Sequence, residues 1–126
     1  MRKNQTKNPL MSVHYAWQGL CHAFETERNF RIEVVAAVVL ILLTFVLPLS
    51  AAEQTGIFLF VALVLFAELV NTSVERLVDL VSPQQHPIAG AAKDVVAGAV
   101  LIIGICAIVY TAVVAYNIIE RLGLLV

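Results

Sequence analysis

QTGIFLFVALVLFAELVNTSVERLVDLV, residues 54–81, is the stretch on which the architecture turns. No charge falls between Glu53 and Glu68, yet that apolar run alone is shorter than the roughly 17–25 residues a membrane-crossing helix needs. It becomes long enough only if the helix continues through Glu68, Asn71, Glu75 and Asp79. Nothing in it breaks a helix, and the next proline is Pro83. At 100° per residue, with Glu68 at zero, Asn71 falls at about −60°, Thr72 at about +40°, Glu75 at about −20° and Asp79 at about +20°. Three carboxylates and two neutral polar groups therefore share one face. Leu63, Leu65, Val70, Val74 and Leu77 make the rest of the helix apolar.

Flanking sequence extends the pattern. No charge falls between Glu33 and Glu53, or between Asp94 and Glu120, so segments on both sides of the central one can also span. The predicted fold is all-α and membrane-integral. A surface helix covers about 9–26, and three transmembrane helices cover about 30–52, 54–81 and 88–119, in a single domain over the whole chain. Composition agrees: 60% of the 126 residues are hydrophobic and 13% charged, about half the charged share of a soluble domain. A formal net charge of −1 gives no case for a nucleic-acid partner. Cys21 and Cys106 have no metal-binding or redox spacing and read as small buried hydrophobes. The first apolar run starts after about 30 polar or mixed residues, too deep for a cleaved signal peptide.

Leu10, Val13, Trp17, Leu20, Cys21 and Phe24 recur at three- and four-residue spacings, with Ser12, His14, Gln18, His22 and Glu25 between them. That is an amphipathic helix suited to a membrane surface. Arg2, Lys3, Lys7, Arg28 and Arg31 precede the first span, none follows it before the second, and Arg76 and Lys93 flank the second connection. Basic residues favour the cytoplasm, so the N-terminus and the 76–94 connection are expected inside and the C-terminus outside.

The polar stripe then leads from the cytosol into hydrocarbon, because Glu68 lies roughly 20 Å along the helix from its outer end. Ionisable groups at such depth are expensive and usually serve a site. Asn71, Thr72 and Ser73 alone could glue helices together; three carboxylates require protons or cations. Glu25, Glu27 and Glu33 lie before the first span and Lys93-Asp94 opens the third, at the same mouth. Glu25 and Glu33 read as ordinary interfacial residues. Clustered carboxylates suit Mg²⁺, which often accompanies phosphates, and a lysine adds a point charge. Ala89, Gly90, Ala91, Ala92, Ala97, Gly98 and Ala99 allow close helix approach there. The chain contains no G-x-x-x-x-G-K-[ST] loop, no kinase-type glycine loop and no G-x-S-x-G elbow.

These residues carry a resemblance. Glu68-Leu-Val-Asn-Thr-Ser-Val-Glu75-Arg-Leu-Val-Asp79-Leu, His86-Pro-Ile-Ala-Gly-Ala-Ala-Lys93-Asp94 and Glu27-Arg28-Asn29-Phe30-Arg31-Ile32 look like the signatures of the prokaryotic diacylglycerol kinase and undecaprenol kinase family. The resemblance implies a homotrimer in the bacterial cell membrane that transfers the ATP γ-phosphate to a lipid hydroxyl. It makes Glu68 the general base in contact with the lipid, and it makes Glu27 and Glu75 ligands of Mg²⁺ that also contact ATP. It assigns Asn71, Asp79, Lys93 and Asp94 to the nucleotide phosphates. Gln84, Gln85 and His86 match a nucleotide-contacting loop, and Tyr15 an N-terminal contact. Two positions depart from the diacylglycerol branch: Asn8 replaces an arginine and Ala16 a serine. The Glu-Arg-Asn and His-Pro stretches favour undecaprenol as substrate over diacylglycerol. A proton- or cation-coupled carrier subunit is the remote alternative, because buried carboxylates also serve transport.

Overall fold

The computed structural model describes residues 9–84 and 86–124. Its order is α1 (Pro9–Thr26), α2 (Arg28–Thr44), α3 (Ala51–Val81) and α4 (Pro87–Arg121), with no strand among the described residues. α1 covers the residues expected to form the amphipathic helix. It turns into α2 at Glu27, whose backbone is extended (φ −104°, ψ 116°). Arg31 secures this corner: its guanidinium donates to the carbonyls of Phe24 (3.1 Å) and Glu25 (2.9 Å). Those oxygens belong to the last turn of α1 and have no partner within the helix. Arg31 is thus a cap as well as an orienting charge.

The first span expected over 30–52 is too long, and the second begins earlier than residue 54. α2 stops at Thr44, whose hydroxyl donates to Ile41 O at 2.7 Å. The N–H groups of Phe45 and Val46 bond three residues back, and Pro48 prevents continuation. α3 starts at Ala51 on a capping box: Ser50 Oγ accepts from Glu53 N (3.3 Å), and Glu53 Oε2 accepts from Ser50 N (2.8 Å). The Ser50-Ala-Ala-Glu53 spacing marks this start, but an apolar count that ran from charge to charge passed over it.

α4 begins with His86 as N-cap, its Nδ1 accepting from Ile88 N at 3.2 Å, and with Pro87 in the first turn. It ends in a Schellman turn. Gly123 takes φ +66°, Gly123 N bonds Glu120 O at 3.0 Å, and Leu124 N bonds Ile119 O at 3.2 Å. α3 and α4 have 31 and 35 residues, so they run roughly 46 and 52 Å at 1.5 Å per residue. Both are long and apolar enough to cross a membrane and to project beyond its roughly 30 Å core. α2, with 17 residues, stands at the short limit.

Contacts at the helix ends make α2, α3 and α4 antiparallel neighbours, with α3 against α4 the broadest packing. At one end Arg121 pairs with Glu53, and Thr44 Oγ1 accepts from Gln54 Nε2 at 3.4 Å. At the other Lys93 pairs with Asp79. The core proper is Ile57, Val114 and Ile118, flanked by Leu40, Leu49, Val61 and Tyr110. It sits at the Glu53 end. Elsewhere large apolar side chains face outward, among them Leu101, Ile102, Ile108 and Val113 on α4. Such a surface suits lipid as the surrounding solvent. Cys21 is half-buried and Cys106 exposed, which corrects the expectation that both are buried; α4 has few neighbours to cover its circumference.

The Glu53 end is tightly cross-linked. Glu53 is buried, and its Oε1 accepts from Asn117 Nδ2 at 3.0 Å and from Arg121. Arg121 also donates to Pro48 O at 2.6 Å, tying the α4 terminus to the α2–α3 turn. The Tyr110 hydroxyl lies 3.3 Å from both Ala52 O and Glu53 O, directly over Gly56.

Candidate active site

The other end carries the polar stripe. On α3, Glu68 and Thr72 are buried, Asn71 and Glu75 half-buried, and Asp79 exposed. One helical face therefore grades from shielded to open, as the spacing predicts. Asn71 Nδ2 donates to Glu75 Oε1 at 3.2 Å, fixing the amide one turn from the carboxylate. Asn71 Oδ1 is buried with no hydrogen-bond partner.

α1 and α2 bring two further carboxylates. Glu27, at the α1–α2 corner, accepts from Arg76 at 2.7 Å. Glu33, one turn into α2, has a buried Oε2 with no partner. The charge of Glu68 acts on Glu33, and those of Glu75 and Glu27 act on Glu68. Glu68 thus stands in the field of three other carboxylates, Glu27 from the α1–α2 corner, Glu33 from α2 and Glu75 from α3. A cation relieves such a field, and the unpartnered Asn71 Oδ1 is a hard oxygen of the type Mg²⁺ takes. As the side chains lie, no three His, Cys, Asp or Glu residues among those described converge on a single metal position.

A second cluster lies where α3 gives way to α4. Lys93 Nζ meets Asp79 Oδ1 at 2.5 Å. Both line an open cleft of about 510 Å³ with Ser82, Gln84 and His86. Gln84 lies in this turn, its carbonyl accepting from Ser82 Oγ at 3.1 Å. Asp94 is exposed on the first turns of α4, next to Lys93. Tyr15 lies away from this cleft on α1, half-buried, its ring 5.9 Å from that of His14. Gln85 falls outside the described residues.

Further toward the Glu53 end, α2, α3 and α4 bound an apolar cleft of about 570 Å³. Its α2 wall is Glu33, Ala36, Ala37 and Leu40, a helical i, i+3, i+4, i+7 face; Phe60, Leu65 and Gly104 line it from α3 and α4. Glu33 is its only ionisable lining residue among those described.

Sequence reasoning missed two participants. Glu33 was read as interfacial, although its spacing to Ala36, Ala37 and Leu40 places it on an inward face. Arg76 counted only as a cytoplasmic charge. Its contacts with Glu27 and Thr26 cross about fifty positions of sequence, and no local pattern reports them.

Along α3 the order is therefore an apolar cleft lined as far as Leu65, the buried Glu68, and about three turns further on the cleft that holds Asp79 and Lys93. The chain belongs to the prokaryotic diacylglycerol kinase family, whose sequence model matches residues 14–115. Members of this family are phosphotransferases with an alcohol acceptor. The chain is 42% identical over 113 residues to a diacylglycerol kinase of Synechocystis sp., covering 86% of this chain and 65% of that protein's length. It is 36% identical over 103 residues to the undecaprenol kinase of Bacillus subtilis (82% and 84% of the two chains). It is 31% identical over 108 residues to the diacylglycerol kinase of Escherichia coli K12 (86% and 88%). Family membership together with two apolar helices marks a bacterial membrane protein.

Proposed function

We propose that this protein is an ATP-dependent lipid kinase that transfers the γ-phosphate to the hydroxyl of a membrane lipid alcohol, undecaprenol in the first instance. The observation that carries this reading is the order along α3, where buried Glu68 follows the apolar cleft ending at Leu65 and precedes the Asp79–Lys93 cleft, with Glu33 in the wall of the first. A lipid tail fits the first cleft, whose volume is in the usual range for ligand sites. Its hydroxyl then meets the carboxylates, and nucleotide phosphates fit the second cleft.

Glu68 takes the proton as the hydroxyl oxygen bonds to the γ-phosphorus and the bond to the β-phosphate oxygen breaks, releasing ADP. Glu27 and Glu75 are the proposed Mg²⁺ ligands, and Asn71 Oδ1 adds a neutral oxygen. When bound, the ion neutralises charge on the transferring phosphoryl group. Lys93 leaves Asp79 to offer its three donors to a phosphate, and Asp94, Gln84, Gln85, His86 and Tyr15 complete the nucleotide contacts. Burial of Glu68 excludes water, which would otherwise compete with the lipid for the phosphoryl group.

The proposed assembly is a homotrimer of three-span subunits, with N-terminus and active site cytoplasmic and C-terminus outside. The exposed apolar face of α1, with Trp17 and Leu10, suits the membrane surface. A diacylglycerol substrate is the second reading, favoured by the name of the Synechocystis relative. Nothing in the comparisons favours a carrier subunit.

The test is phosphate transfer from labelled ATP by purified protein in mixed micelles with Mg²⁺, offering the two lipids separately and together. Faster labelling of undecaprenol supports the first reading, and faster labelling of diacylglycerol the second. No label in either, from folded protein, refutes the kinase.

A further inference from the structure

Arg76 has contacts that the transfer reaction does not by itself require. It lies about 80° around α3 from Glu68, at the edge of the polar stripe. Its Nη2 donates to Glu27 Oε1 at 2.7 Å and to Thr26 Oγ1 at 2.5 Å. Thr26 Oγ1 in turn donates to His22 O at 2.8 Å, so its proton is directed away and a lone pair faces the guanidinium. Both acceptors belong to the α1–α2 corner. Arg76 therefore binds that corner to α3 and places Glu27 within the electrostatic reach of Glu68.

The same pair sets up a competition. A divalent ion bound through Glu27 Oε1 would share that oxygen with Arg76. Mg²⁺ and Mn²⁺ sit roughly 2.1 Å from a carboxylate oxygen. With the guanidinium nitrogen at 2.7 Å from the same oxygen, the two cations would stand only about 4 Å apart. We propose that Arg76 is a positioning residue that holds the Glu27 carboxylate and competes with a divalent cation for it, so that bare metal binds weakly. This inference rests on the proposed role of Glu27 in holding metal. The site then loads when phosphate oxygens are present to accept the donors Arg76 gives up, which links metal entry to nucleotide entry.

The experiment is titration of purified, nucleotide-free protein in micelles with Mn²⁺, following free Mn²⁺ by electron paramagnetic resonance. Arg76→Gln removes one positive charge next to the ligand and should tighten Mn²⁺ binding on the order of tenfold. Arg76→Lys keeps the charge and should stay near wild type. In a Glu27→Gln background the Arg76→Gln gain should disappear. An unchanged or weaker Mn²⁺ affinity in Arg76→Gln overturns the proposal, as does a gain that persists without the Glu27 carboxylate. Both Arg76 variants expose a half-open surface pair and should fold, which circular dichroism and thermal unfolding check. A wild-type protein that labels no lipid alcohol refutes the kinase reading independently of the Mn²⁺ result.

Discussion

Gly56 is the position where one added methyl group should do most damage. A Cβ built there lies 1.9 Å from Tyr110 Oη, 2.2 Å from Cζ and 2.7 Å from Cε1. No side chain tolerates such distances, so Gly56→Ala must displace the tyrosine ring. The ring packs against that of Phe60, 5.0 Å between centroids at a 35° tilt, and its hydroxyl bonds the carbonyls of Ala52 and Glu53. Displacement loses the hydroxyl's hydrogen bonding, worth about 1 kcal/mol, and adds overpacking of about 1–3 kcal/mol. Against this stands a gain of about 1 kcal/mol for alanine over glycine inside a helix. The net expectation is destabilisation by about 1–3 kcal/mol. Thermal unfolding in detergent micelles should show a midpoint several degrees below wild type. The same substitution in a Tyr110→Ala background meets no ring and should be neutral or stabilising by about 1 kcal/mol. A Gly56→Ala protein as stable as wild type, or an equal penalty in both backgrounds, would refute the close-approach argument.

Other substitutions separate chemistry from scaffold. Glu68→Gln preserves shape and removes the base, so transfer should fall by 10² or more while the unfolding midpoint holds; substantial residual activity would dismiss Glu68 as base. Gly104→Leu adds bulk to the lining of the apolar cleft at a position where a Cβ meets nothing within 4 Å. It should lower kcat/KM for long-chain alcohols by about tenfold and leave a short-chain alcohol nearly unaffected, and equal loss on both would argue against a lipid tail in that cleft. Lys93→Gln removes the point charge from the Asp79 cleft and should raise KM for ATP more than it changes stability, because an exposed pair contributes only about 0–1 kcal/mol; a large fall in the unfolding midpoint would make Lys93 structural instead.

Helix periodicity made α3 readable as one element, since its polar face lies within about 100° of arc. The amphipathic spacing from Leu10 to Phe24 located α1, and the third helix expected over about 88–119 lies within α4, Pro87–Arg121. The α2–α3 turn was misplaced because hydropathy counts residues and ignores backbone bonding; the capping box of Ser50 and Glu53, with Pro48 before it, decides that boundary. For the site, the residues on one helix were legible and their partners were not. Glu75 with Asn71 is an i, i+4 pair and follows from spacing. Arg76 with Glu27, and Glu33 beside Glu68, depend on the angle at which α1 and α2 meet α3. The α1–α2 corner is held by Arg31 on the carbonyls of Phe24 and Glu25, and Arg76 ties it to α3. A single sequence has no local feature that encodes that angle.

The two ends of the helical bundle use similar residues to opposite effect, and this contrast separates a scaffold from a reaction site. At one end Glu53 receives bonds from Ser50, Asn117 and Arg121, and Arg121 also reaches Pro48 O. The buried Glu53 is fully engaged there, and no buried side-chain polar atom at that end lacks a partner among the described residues. At the other end Glu33 Oε2 and Asn71 Oδ1 are buried without partners, and Glu33, Glu68 and Glu75 have no ion-pair partner among the described residues. Buried polar atoms without partners cost about 1–3 kcal/mol each. A fold keeps that cost where ligands supply the missing bonds. Binding of nucleotide, divalent cation and lipid hydroxyl should therefore raise the unfolding midpoint by stabilising this end. Neutralising Glu33 as glutamine should raise it without any ligand, at the expense of transfer. If Glu33→Gln lowers the midpoint instead, the unpartnered carboxylate is part of the scaffold, and the division of labour between the two ends fails.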